Sequence, residues 1–159
     1  LGVEDALLRG NYVYQDPDVL NTSTRELQHV ASVSFRFEVD GWGFRSDFSS
    51  GFGYLGQSDL WSVMTMPFFN LTSRLQVVGR HTYLRSKDAN GVRLARYENQ
   101  VTAGRGDRYN EFYVGVNYYL YGHKLKLQSG LQFVDMNDSA ADGGAYSGIA
   151  STTGLRVSW

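Results

Sequence analysis

Eight cations of this chain, Arg9, Arg36, Arg45, Arg74, Arg80, Lys124, Lys126 and Arg156, fall at positions that an extended backbone would turn toward a common side. Side chains in a strand alternate with period 2, so residues two apart share a face. By the same parity that face carries three acids, Glu38, Asp47 and Glu111, leaving an excess of positive charge. Fixed cations on a narrow wall of low dielectric attract anions and repel cations. Arginine suits phosphate-like ligands better than lysine does, because its planar fork forms bidentate bonds. The competing reading is structural: Arg36 pairs with Glu38 or Asp47, and the other cations merely hydrate a polar wall.

Other residue sets carry less. Residues 51–56 spell GxGxxG, yet no helical apolar pattern follows and no βαβ unit contains them, so a turn between strands is expected. Asp135, Asn137, Asp138 and Asp142 form an acidic stretch, but Ala140 stands where a calcium loop of the EF-hand type needs Gly, and Tyr146 where it needs Glu. A solvated loop is expected there, with a loose divalent-ion or lipopolysaccharide contact as the alternative. His29, His81 and His123 lack metal-ligand spacing. There is no GxSxG elbow for a Ser–His–acid esterase, and parity puts His81 on the apolar face. No metal, cofactor or catalytic residue is therefore assigned.

The elements that must position the cations are strands. Period-2 segments between turn residues occur at about 6–14, 28–39, 42–52, 59–69, 71–85, 109–121, 123–135 and 147–159. In the second, Val33, Phe35, Phe37 and Val39 oppose Ser32, Ser34, Arg36 and Glu38; in the sixth, Phe112, Val114, Val116, Tyr118 and Leu120 oppose Glu111, Tyr113, Gly115, Asn117 and Tyr119. The fourth is ambiguous, since Trp61 and Val63 fall opposite Leu60, Met64 and Met66, and Pro67 has no N–H for a ladder. The last ends on Trp159, with Ile149, Thr153, Leu155 and Val157 on the same face.

The chain has 159 residues, a formal net charge of -1, 14 % aromatics, 18 glycines and no cysteine. That is enough for one domain with a core. No basic stripe points to nucleic acid, and without cysteine there is no disulfide framework or cysteine-ligated metal centre. No apolar run reaches the eighteen or so residues of a membrane helix, but a barrel strand needs only every second residue apolar. Leu1 is neither an initiating Met nor the start of a signal peptide, so a processed chain, or the C-terminal part of a larger one, is expected.

The connections alternate in length. Long ones are expected near 15–26, 86–108 and 136–146, a medium one near 53–58, and tight turns at 40–41, near Asn70 and at Gly122. Outer-membrane barrels have short periplasmic turns and long external loops, with aromatic girdles at both interfaces. The loop parity, the aromatics near strand ends and the terminal Trp159 thus point to a transmembrane barrel rather than a soluble one. Trp159 would then act as the signal that the barrel assembly machinery reads.

Two segments carry a resemblance: residues 68–84, FFNLTSRLQVVGRHTYL, and residues 111–127, EFYVGVNYYLYGHKLKL. Together with the closing strand they resemble the C-terminal part of the phosphate-selective porins, the O and P porin family. NYYLYGHKLKLQ is the more specific match, and the likeness covers about half the chain, from about Trp61 onward. The resemblance implies an all-β, antiparallel transmembrane barrel of which this chain supplies about eight strands, the C-terminal half of a sixteen-stranded, homotrimeric, anion-conducting porin of the bacterial outer membrane. Its partners would be membrane lipid, lipopolysaccharide and small anions such as phosphate. The family's selectivity rests on pore-facing Arg and Lys, some on an inward-folded loop of the N-terminal part, and these do not map onto positions of this sequence. Two other readings stay open: a small closed barrel acting as a structural anchor or adhesin, and a barrel enzyme.

Overall fold

A computed structural model describes residues 5–17, 20, 26–94, 98–122 and 124–158. Its strands are β1 (Asp5–Tyr14), β2 (Leu27–Val39), β3 (Trp42–Gly53), β4 (Leu60–Asn70), β5 (Leu75–Ser86), β6 (Arg108–Tyr121), β7 (Leu125–Asn137) and β8 (Tyr146–Val157), with one helical turn, α1 (Glu98–Val101). They form one eight-stranded sheet in sequence order, each strand antiparallel to the next. The outer edges of β1 and β8 carry no partner strand among the described residues, so the sheet is open.

Register settles the faces. Phe112 lies opposite Phe133, and Phe133 opposite Ile149; Val33 lies opposite Phe48, and Phe48 opposite Val63. These share one face, and most are exposed: Val33, Phe48, Phe112, Leu131, Phe133, Ile149 and Leu155 range from 43 % to 70 %. The opposite face lines a concavity of about 720 Å³ that runs from Glu38 on β2 to Arg156 on β8. The sheet therefore curls with its polar side inward and its apolar side out. That is the reverse of a soluble barrel, whose apolar face fills the interior.

The ambiguous strand resolves with apolar residues on both faces. Trp61, Val63 and Pro67 point outward, and Leu60, Met64, Met66 and Phe68 inward. The β4–β5 pairing runs to Thr65/His81 and resumes at Phe68/Val78, skipping Met66 and Pro67, because Pro67 has no N–H to donate. Two expected boundaries move. Arg74 belongs to a turn, not a strand: Thr72 Oγ1 accepts from the N–H groups of Arg74 and Leu75 at 3.1 and 3.0 Å, holding the chain bent until β5 starts at Leu75. Lys124 is likewise a turn residue, its N–H donating to the Tyr121 carbonyl at 3.1 Å. The GxGxxG stretch ends β3 and enters a turn, with Leu55 and Gly56 at positive φ.

The buried core lies at the long-loop end. Val92 and Leu94, from the β5–β6 connection, pack on Val134 and Met136 of the inner face, flanked by Leu60, Leu84, Tyr109 and Tyr146. A two-bond bridge between Val92 and Gly106 fixes that loop. Gln57 donates to the Gly91 carbonyl at 2.9 Å, and Asn90 to Asp142 at 2.6 Å, tying the three loops into one roof.

Candidate functional site

The inner wall has two unlike ends. Near the roof, Glu111 of β6 is 8 % exposed and fully engaged. Its Oε1 accepts from Arg80 Nε at 3.1 Å and from an Arg80 terminal nitrogen at 2.6 Å; its Oε2 accepts from the Tyr109 hydroxyl at 2.8 Å and Gln132 Nε2 at 2.9 Å. A buried carboxylate is tolerated when its lone pairs are met in this way. Arg80 also lies over the Tyr113 ring, 5.2 Å from its centroid. That ring lies on the glycine wall of β6 and β7, where a Cβ on Gly115 or Gly130 would collide with it. Arg80 is thus neutralised and held.

At the short-turn end the wall is open. Arg45 of β3, Lys126 of β7, Arg156 of β8 and the turn residue Lys124 line the concavity, with Glu38 the one acid. Lys126 and Arg156 are direct cross-strand partners, as are Arg36 and Arg45. Facing like charges destabilise a sheet. Arg36 is relieved by Asp5 at 2.7 Å, not by the expected Glu38 or Asp47, because Asp5 on β1 shares the inner face with Arg36's register partner Leu7. Asp47 instead accepts from the Ser49 hydroxyl. Arg45, Lys126 and Arg156 form no ion pair among the described residues. Arg45 sits over the Phe68 ring at 5.6 Å and Lys126 over Tyr119 at 5.8 Å, so aromatic faces rather than acids hold these cations. Phe68 lies in turn on Gly43, where a Cβ would meet the ring.

An amide ladder crosses the wall from strand to strand. Gln128 donates to Asn117, Asn117 to Gln76, and Gln76 to Asn70, each at 2.8 Å, crossing β7, β6, β5 and the end of β4. These neutral partners fix the wall without adding charge.

The structure therefore brings together four of the eight cations read from sequence, Arg45, Lys124, Lys126 and Arg156, in one group without an ion pair among the described residues. Arg80 lines the same concavity but is paired; Arg36 is paired at the β1 edge; Arg9 is on the inner face of β1, opposite Ser34. Arg74 contributes its carbonyl to the Tyr119 N–H at 2.8 Å. Trp159 and His123 lie outside the described residues. His81 stacks on Phe112 on the outer face at 4.4 Å, and His29 accompanies Tyr12 and Tyr14 there.

Sequence reasoning put Tyr113 and Tyr119 on the polar face but missed that they and Phe68 hold Arg80, Lys126 and Arg45 over their rings. For two of them a signal was present in glycines that leave room for a ring: Gly43 beside Phe68, and Gly115 and Gly130 beside Tyr113. In the acidic stretch, Asp138 accepts the N–H groups of Ala140, Ala141, Asp142, Gly143 and Gly144 at 2.8–3.1 Å, which closes the loop on itself. Those bonds, led by that from Gly144, hold its carboxyl below the ordinary carboxylate range. No group of three or more His, Asp or Glu among the described residues is placed to hold a metal ion. Compared with protein-family models, curated proteins and solved structures, the chain matches none of them.

Proposed function

We propose that this chain forms the wall of an outer-membrane porin, a passive channel for small anionic solutes in the bacterial outer membrane. The observation that carries the reading is the inside-out polarity of the curled sheet: exposed Val, Leu, Ile and Phe on the convex face, amides and cations on the concave one. A convex apolar band belongs against lipid, since large exposed apolar patches otherwise drive association. On this reading the edges of β1 and β8, which have no partner strand among the described residues, must be closed. Unsatisfied backbone groups are not tolerated at membrane depth, so the edges require further strands or each other for closure. The aromatics Tyr12, Tyr14, Trp42, Trp61 and Tyr83 near strand ends fit interfacial girdles. Membership of the phosphate-selective porins, a trimeric state and assembly through Trp159 belong to the same proposal and rest on the segments quoted above. The roof of Val92 and Leu94 favours a second reading, a partly filled barrel that anchors rather than conducts.

Conductance separates them. The native protein carrying this sequence, purified from outer membranes and added to a planar bilayer, should insert as discrete conductance steps. Membrane-inserted protein with no conductance would favour the anchor.

A further inference from the structure

The cationic end of the concavity is not uniformly polar. Met66 of β4 and Val78 of β5 line it beside Arg45, and the Phe68 and Tyr119 rings back the cations. A wall meant only for hydrated inorganic ions has no use for this patch, because such ions keep their water and gain nothing from apolar contact. Meanwhile Lys126 and Arg156 face one another across β7 and β8 with no acid paired to either among the described residues. That juxtaposition is unfavourable until an anion enters between them.

We infer that this cavity selects organic anions with an apolar body, carboxylates on an aromatic or alkyl frame, over inorganic phosphate. The carboxylate would engage Arg156 and Lys126, with Arg45 on the far wall, Arg offering its fork to both oxygens. The apolar frame would lie against Met66 and Val78. The volume, about 720 Å³, holds a molecule of that size. The inference rests on reading the inner face as an anion-conducting wall, and it departs from the phosphate preference that the family resemblance implies.

The test is current block in the native protein reconstituted in a planar bilayer under KCl. Benzoate and inorganic phosphate are each titrated at neutral pH. Phosphate carries the greater charge, so charge alone would make it the stronger blocker. The inference expects benzoate to reach half-block at a concentration at least about tenfold lower, roughly twofold for each partly buried methylene-sized group. Along acetate, butyrate and hexanoate the half-blocking concentration should fall with chain length. Replacing Met66→Ser with Val78→Thr should raise the benzoate value toward that of phosphate, whereas Met66→Leu should retain it. Calorimetric titration of detergent-solubilised protein with benzoate gives a readout independent of conduction. An anion-preferring channel blocked better by phosphate, with a flat alkanoate series, would overturn the inference and leave the porin reading standing. A channel that prefers cations, or protein that neither conducts nor binds benzoate, would overturn both.

Discussion

Arg80 and Arg156 reach the same inner wall, yet the two ends of that wall treat charge in opposite ways. At the roofed end Arg80 meets Glu111, which also accepts from Tyr109 and Gln132, and the charges cancel inside a closed network. At the open end Arg156 faces Lys126, and neither forms an ion pair among the described residues. The difference shows that lining the concavity is not the same as being available to a solute. Availability depends on what the flanking strand supplies: β6 offers a carboxylate to β5, whereas β7 and β8 offer each other cations.

The largest change should come from dismantling the roof. Met136 is 2 % exposed against Val92 and Val134, so Met136→Ala should cost about 2–5 kcal/mol. Denaturant titration would read this, with faster proteolysis of the 87–107 loop as the local sign. An unchanged midpoint would mean that the roof is not a packed core.

Next, Glu111→Ala should remove the partner of Arg80 and leave that cation with less solvent than it needs. Its side chain is 37 % exposed, which screens part of the loss, so about 1–3 kcal/mol is expected. The isosteric Glu111→Gln is the sharper probe. It should convert the paired end into a second cationic one and increase anion preference. If selectivity did not move, Arg80 would not face the conducting space.

Smaller still, Arg156→Gln or Lys126→Gln should leave stability within about 0.5 kcal/mol, because relief of like-charge repulsion offsets the lost contacts. Anion preference should fall in either variant, and the fall should shrink with salt as the Debye length drops to about 3 Å near 1 M. A variant that unfolded readily but kept its selectivity would reverse the assignment of roles at the open end.

The least change is expected in the 138–144 loop. The Asp138 carboxyl lies below its ordinary value because the folded loop bonds its charged form. A depressed carboxylate contributes stability above the unfolded value and loses it as pH falls through the lower folded value. Amide exchange at 140–144 should therefore stay protected at neutral pH and through the ordinary carboxylate range, loosening only in stronger acid. Asp138→Asn should speed exchange there several-fold at neutral pH. Exchange indifferent to that substitution would show that the loop is held otherwise.

Much of this arrangement was legible in the residues. Strand faces followed from alternation alone, since a one-residue slip would expose the wrong set along a whole strand; β6 and β8 read without ambiguity for that reason. Strand β4 did not, because its inner face carries Leu60, Met64, Met66 and Phe68 where an aqueous wall would be polar. The inward course of the β5–β6 loop was hidden too. Val92 and Leu94 are separated only by Arg93 in a polar stretch, and nothing local shows that Met136, more than forty residues on, completes their core. Charge pairing was the least legible. Arg36 found Asp5, and Arg80 found Glu111, through register across strands, which no reading of one strand at a time supplies.

The central claim, that the unpaired cations make this wall anion-attracting, is tested most directly by the zero-current potential of the native protein in a planar bilayer under a KCl gradient. A potential of the sign set by chloride, diminishing as total salt rises, is the predicted result. A potential of the sign set by potassium would contradict it.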